Sequence, residues 1–189
     1  MRRFIFSLIS FLGCFASHAQ DTIVKLSGER FIGRVIANRP NLIEFNYPNE
    51  TSLNTVPKPL ISYVSYSSGR REDISEIVNI SGEGGWKNVL VTTNPDEVLG
   101  LVRLGEVRAK SNSLVNLNSV VGVDKRASEN IQKGAVALGA HIILMLQNET
   151  KGETGISLAQ SFKSGIAYGY PFETTDTKLP FNLERLLFV

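Results

Sequence analysis

The sequence predicts an α+β protein. A small all-β N-terminal module, a barrel or rolled sheet, is followed by an α+β domain whose one main helix packs on a mostly antiparallel sheet. Three observations carry that expectation. Short segments of alternating polarity, punctuated by Gly, Pro and Asn, fill residues 21–74. Apolar residues at helical spacing run from Ala127 to Leu138. A glycine-rich stretch, "SGEGG", lies between the two patterns. Side chains alternate across a strand but recur every third or fourth residue on a helix face, so the two periods separate the two structures.

The chain opens with "MRRFIFSLISFLGCFASHAQD", which has the form of a secretory signal peptide. Arg2 and Arg3 make a positive start, and Phe4 to Phe15 is apolar but short of the ~20 residues of a membrane span. Ser17 and Ala19 place small residues at −3 and −1 of a cut before Gln20. "FLGC" offers a rival: lipidation at Cys14 would make that cysteine an anchored N-terminus, although Phe11 fits poorly at the −3 position of such a box. The expectation is export to the periplasm or outer envelope, with 1–19 removed. Removal takes away Arg2 and Arg3, so 20 Lys+Arg become 18 against 18 Asp+Glu, and the charge falls from +2 to zero. The basic balance of the precursor is therefore no warrant for nucleic-acid binding. Cys14 and His18 leave as well, and His141 is then the single histidine of a chain without cysteine. That count removes disulfide frameworks, thiolate catalysis and Cys/His zinc sites.

Residues 20–80 are expected to form the β-rich module. "TIVKL", "RFIGRVIA", "LIEFNY" and "LISYVSY" are separated by "SGE", "NRPN" and "SSGR". Apolar residues at Ile43, Phe45 and Tyr47, and at Ile61, Tyr63 or Val64 and Tyr66, show the period of a strand. Gly33 inside a strand predicts a bulge or sharp bend. Residues 81–86 predict a joint between modules, and Trp86 beside it an anchor or a contact residue.

Residues 87–172 are expected to form the α+β domain. "WKNVLVTT" reads as a strand. Asn94, Pro95 and Glu97 supply a helix start, with Asn94 as the cap. "LVRLGEVRAKS" reads as a second strand, while "NSLVNLNSVVGV" is loop or weak strand. Ala127, Ile131, Ala135 and Leu138 mark one face of a helix over 126–138. Gly139 follows as a left-handed cap, and "HIILML" then predicts a buried strand. In "SFKSGIAYGYP", Phe162, Ser164, Ile166, Tyr168 and Tyr170 alternate with Lys163, Gly165, Ala167 and Gly169. The nearly bare face predicts the seat of the helix, and the aromatic face a contact surface. The tail 173–189, ending in Leu186, Leu187, Phe188 and Val189, predicts docking rather than exposure.

The segment with Leu104, Gly105, Glu106, Val107, Ala135, Ala137, Leu138, Gly139 and Ala140 resembles the small α+β fold of RcsF and YbjQ-like domains over residues 86–170. Those domains carry a heavy-metal-binding label. The cysteines that cross-link RcsF are missing here, and His141 stands where those families usually show Asn, so the stress-sensing role does not transfer. The opening Asp21, Ile23, Gly28, Gly33 and Val35 is similar to that of many uncharacterised exported bacterial proteins. The first half also looks like a Sm/SH3-type barrel, though export argues against an RNA role.

Catalytic chemistry finds little support. The pairs Asp96/Glu97 and Glu149/Glu153 lack a groove in sequence, and the first suits the opening turn of a helix. No phosphate-binding or nucleophile motif occurs. The expectation is a non-enzymatic binding or scaffolding protein of the cell envelope without cofactor. It has no membrane span in the mature chain, and Trp86, Tyr168 and Tyr170 are its contact residues. The alternative is a metal or small-ligand binder on His141 and nearby carboxylates, Glu106 among them.

Overall fold

The computed structural model describes residues 20–113, 120–152 and 159–172. The expected signal segment 1–19, the tail 173–189 and residues 114–119 and 153–158 lie outside the described residues. Within the described residues the architecture is mixed α+β, with two largely antiparallel sheets and one α-helix.

The first sheet holds β1 (Asp21–Lys25), β2 (Arg30–Asn38), β3 (Leu42–Asn46), β4 (Asn54–Pro57), β5 (Ile61–Ser65) and β6 (Arg71–Asp73). Their order is β4-β3-β2-β1-β5-β6. Among the described residues the edges β4 and β6 do not pair, so of the expected barrel or rolled sheet the closed barrel does not form. Ile23, Ile43, Phe45, Val56, Ile61 and Val64 nevertheless make one buried cluster. The strand period explains the burial: Ile43 and Phe45 point inward while their neighbours reach the surface. Phe31 stacks on Phe45 and Tyr47 meets both rings edge-on, the geometries aromatic rings prefer.

The opening motif has a structural account. Asp21 accepts hydrogen bonds from the Val35 amide at 2.8 Å and the Ser67 amide at 2.7 Å. Its carboxylate thereby ties β2 and the β5–β6 turn to the first residue of β1. The bulge predicted at Gly33 lies two residues on, where the β2–β3 register slips between Val35 and Ala37. Gly33 is instead a point of close approach, because a Cβ there would lie 2.3 Å from the Asn46 carbonyl oxygen.

The second sheet is ordered β7-β9-β10-β8, with β7 (Leu90–Thr92), β8 (Val102–Asn112), β9 (Ile142–Lys151) and β10 (Gln160–Gly169). Only β7 and β9 run parallel. The strand expected from Trp86 shrinks to three residues, since Gly85–Asn88 form a 3-10 turn. The glycine-rich joint is a hydrogen-bonded turn with Gly85 packed against the Ile80 carbonyl. Ile74 packs on the first cluster, and Val78 and Ile80 on the second. The chain therefore crosses between clusters at residues 75–77, ahead of the glycines.

Helix α1 (Val120–Ala137) begins six residues before the predicted start. Its buried stripe is Val123, Ala127, Ile131 and Ala135, of which Ile131 and Ala135 share a cluster with Val107, Ala109, Ile143 and Ala167. The bare side of β10 is its seat, as predicted. Leu138, expected on that stripe, is 40 % exposed, because the helix has ended and its side chain lies over Gly105.

Gly139 ends the helix with φ +74°. Its amide donates to Val136, and the Ala140 amide donates back to Ala135. This pair of bonds is a Schellman turn, and the buried contact of Ala135 with Ala140 completes it. The apolar run 134–147 is thus a helix end, a reversal and a strand. The strand is less buried than expected: Ile142 and Ile143 are covered, but Leu146 is exposed. No helix among the described residues is long and apolar enough to cross a membrane.

One charged group breaks the bare face. Lys163 is buried under the start of α1, with its ammonium 2.9 Å from Asp124 and bonded to Asn148. Thr150 and Ser161 also donate to Asp124. The hydrogen bond from Lys163, then that from Thr150, hold the Asp124 carboxyl below the usual carboxylate range.

Two outcomes follow for stability. Gly139→Ala should lower it by about 1–2 kcal/mol in urea unfolding, since a Cβ opposes the left-handed conformation. An unchanged midpoint would contradict the cap. Asp124 is ionised more readily folded than unfolded, so its contribution is present above about pH 4 and fades as pH falls through the lower folded value. Asp124→Asn should cost about 1–2 kcal/mol at pH 7, less than for a fully buried pair because Asp124 is partly exposed. That gap between wild type and variant should narrow in acid melts, and a gap independent of pH would contradict the ion pair.

Candidate functional site

The predicted contact residues separate in space. Trp86, half-buried, lies on the side of α1 in an open hollow with Lys125, Ser128 and Gln132. Its ring sits 4.9 Å from the Lys133 ammonium and 5.6 Å from that of Lys87, at cation–π range. Tyr168 is half-buried within β10, paired between Ile142 and Arg103. Tyr170 follows the end of that strand and faces a different hollow. Trp86 and Tyr170 line separate hollows, and Tyr168 lines neither.

Tyr170 is the best placed of them. Its ring lies 4.7 Å from that of His141 and stacks on Phe172 at 5.4 Å. Its hydroxyl accepts from the Val78 amide and donates to the Glu76 carbonyl, each at 3.3 Å. One side chain on the second sheet thus fastens the segment that crosses from the first. Burial raises the Tyr170 phenol above its ordinary value, against a smaller lowering by the Val78 amide.

His141 is 2 % exposed. Its amide donates to the Tyr168 carbonyl and its carbonyl accepts from Leu90. The residue therefore joins β7 and β10 at the entry to β9, and its ring packs on Tyr170. Glu106 lies within β8 opposite Ile166, ion-paired to Arg108 at 2.8 Å. Among the described residues no group of three or more His, Cys, Asp or Glu side chains is placed to hold one metal ion.

The hollow at Tyr170 lies where the two sheets meet and encloses about 460 Å³, within the range of small-ligand sites. Pro40, Asn41, Lys58 and Pro59 come from the loops flanking β3 and β4 of the first sheet. Ile74, Ser75 and Glu76 come from the crossing segment, and Leu90 and Ile142 from the second sheet. The 3-10 turn Pro95–Val98 closes one side with Asp96 and Glu97. Asn94 caps that turn as predicted: its side chain accepts from the Asp96 amide at 3.1 Å. The element is a single tight turn, stopped within about a turn as expected, with Gly100 following at φ +77°.

Lys58, Glu76 and the two prolines carry no sequence signal as wall residues. They stand in unpatterned connections, and only the crossing of the chain between sheets brings them together. Asp96 and Glu97 were visible as a pair but without a groove beside them. No protein-family model matches the chain, and no curated protein matches it.

Removing the phenol oxygen tests the fastening. Tyr170→Phe keeps the ring contacts and loses both hydrogen bonds, so stability should fall by about 1 kcal/mol. Amide exchange at Val78 should quicken selectively. In ultraviolet titration Tyr170 should ionise above the ordinary tyrosine value. The folded phenol value is raised, so its contribution is intact below about pH 10 and disappears as pH rises through the folded value. Unchanged exchange at Val78 in the variant would contradict the fastening.

Proposed function

We propose that this chain is an exported, non-enzymatic binding protein of the bacterial cell envelope, and that the cleft at Tyr170 is its binding site. The cleft itself carries the proposal: apolar walls from two sheets and a few polar groups converge on one hollow of ligand size. In the same reading the mature protein starts at Gln20, directly before the strand residue Asp21 whose carboxylate ties β1 to β2 and to the β5–β6 turn. The first half is a module of its own with a rolled sheet. Its support is that β4 and β5, near opposite ends of the strand order, feed one cluster and are joined by the three-residue turn Lys58–Leu60. The likeness of the second half to RcsF and YbjQ-like domains belongs to the same reading, and one helix seated on a small sheet supports it.

A metal-binding role for His141 has less support. Its ring is buried against Tyr170, and Glu106 is engaged by Arg108. Tyr168 and Trp86 remain secondary contact residues, and neither lines the cleft.

Export is tested on the protein isolated from its native cells. Mass spectrometry should find an N-terminal peptide starting at Gln20, and an acylated Cys14 or a retained Met1 would contradict the proposed processing.

A further inference from the structure

The cleft has a charge pattern as well as a shape. Among the described residues that line it, Glu76, Asp96 and Glu97 stand against one cation, Lys58. None of the three carboxylates belongs to an ion pair among the described residues. Glu76 arrives from the crossing segment, held there by the Tyr170 hydroxyl on its carbonyl. Asp96 and Glu97 arrive from the capped 3-10 turn. A macrodipole is a sum over aligned peptides, so a four-residue turn gives little reason for two adjacent carboxylates. Beneath them the walls are apolar: Pro40, Pro59, Ile74, Leu90 and Ile142. Leu90 is half-exposed, apolar surface that an occupant would cover.

A ligand that fits must cover that apolar wall and bring a positive charge to the acidic mouth. An anion would face three carboxylates across one lysine. A small hydrated metal ion would leave the apolar wall uncovered.

We infer that the cleft takes an organic cation, a primary ammonium or guanidinium carried on an aliphatic stem, supplied by a free alkylamine or by a basic side chain of a protein. The inference rests on the cleft being the binding site and adds the sign of its ligand. Attraction comes from carboxylates of partly screened strength, and the stem supplies apolar burial.

Amide NMR titration of the mature chain tests it with four probes of similar stem: n-hexylamine, hexanoate, hexanol and the tripeptide acetyl-Leu-Lys-Leu-amide. Hexylamine or the tripeptide should shift Ser75, Glu76, Leu90 and Glu97, less at high salt, while hexanoate leaves them in place. The tighter of the two cationic probes assigns the source. The double variant Asp96→Asn, Glu97→Gln should weaken cationic binding by about tenfold, because two partly screened charge contacts are removed. These side chains are exposed, and the variant's unchanged melt would show an intact fold. Hexanoate or hexanol binding as tightly as the amine overturns the cationic ligand while leaving the cleft as the site. Amine binding unaffected by the double variant overturns it too. No shift with any probe removes both the ligand class and the site.

Discussion

The reversal at Gly139 is the constraint on which the second half of the molecule depends. A single left-handed residue lets the amides of Gly139 and Ala140 close back on Val136 and Ala135. The most apolar stretch of the described chain then leaves the helix and re-enters as β9 beneath it. Ile131 and Ile143 fall into one buried cluster because of this turn. The same turn delivers His141 to the sheet, where its backbone joins β7 and β10 and its ring supports Tyr170. Without the reversal there is no floor for the cleft.

Polar groups locate what apolar burial alone leaves free to slide. Asp21 fixes the start of β1 against β2 and the β5–β6 turn through two backbone amides. Asp124 and Lys163 register the first part of α1 on β9 and β10. Tyr170 fastens the crossing segment. Each sits at a boundary between elements. Directional bonds matter there because a hydrophobic contact tolerates small shifts whereas an unmade buried hydrogen bond is costly. Of these fastenings Tyr170 lines the cleft, whose walls come from both sheets.

Local grammar was readable where it was enforced locally. Gly139, the Asn94 cap and the small residues of β10 under the helix are decided by backbone geometry within a few positions, and all three occur as expected. Leu138 fails because periodicity says nothing about where a helix stops. Lys163 fails because the alternation of β10 hid a buried ammonium whose partner, Asp124, lies far away in sequence. The choice between a barrel and a rolled sheet was not legible, because closure depends on whether β4 and β6 pair, which no local pattern encodes. The cleft was beyond reach for the same reason. Pro40, Lys58, Glu76 and Glu97 become neighbours only through the meeting of two sheets.

The reversal is open to direct observation through methyl contacts in solution. Ile131 and Ile143 should both show Overhauser contacts to the shared partners Val107 and Ala167, since all four belong to one cluster. An unbroken helix through Gly139 would separate the two isoleucines by about 18 Å along its axis, twelve residues at 1.5 Å each. A spectrum in which Ile131 and Ile143 have no common partner would contradict the reversal and the cleft built on it.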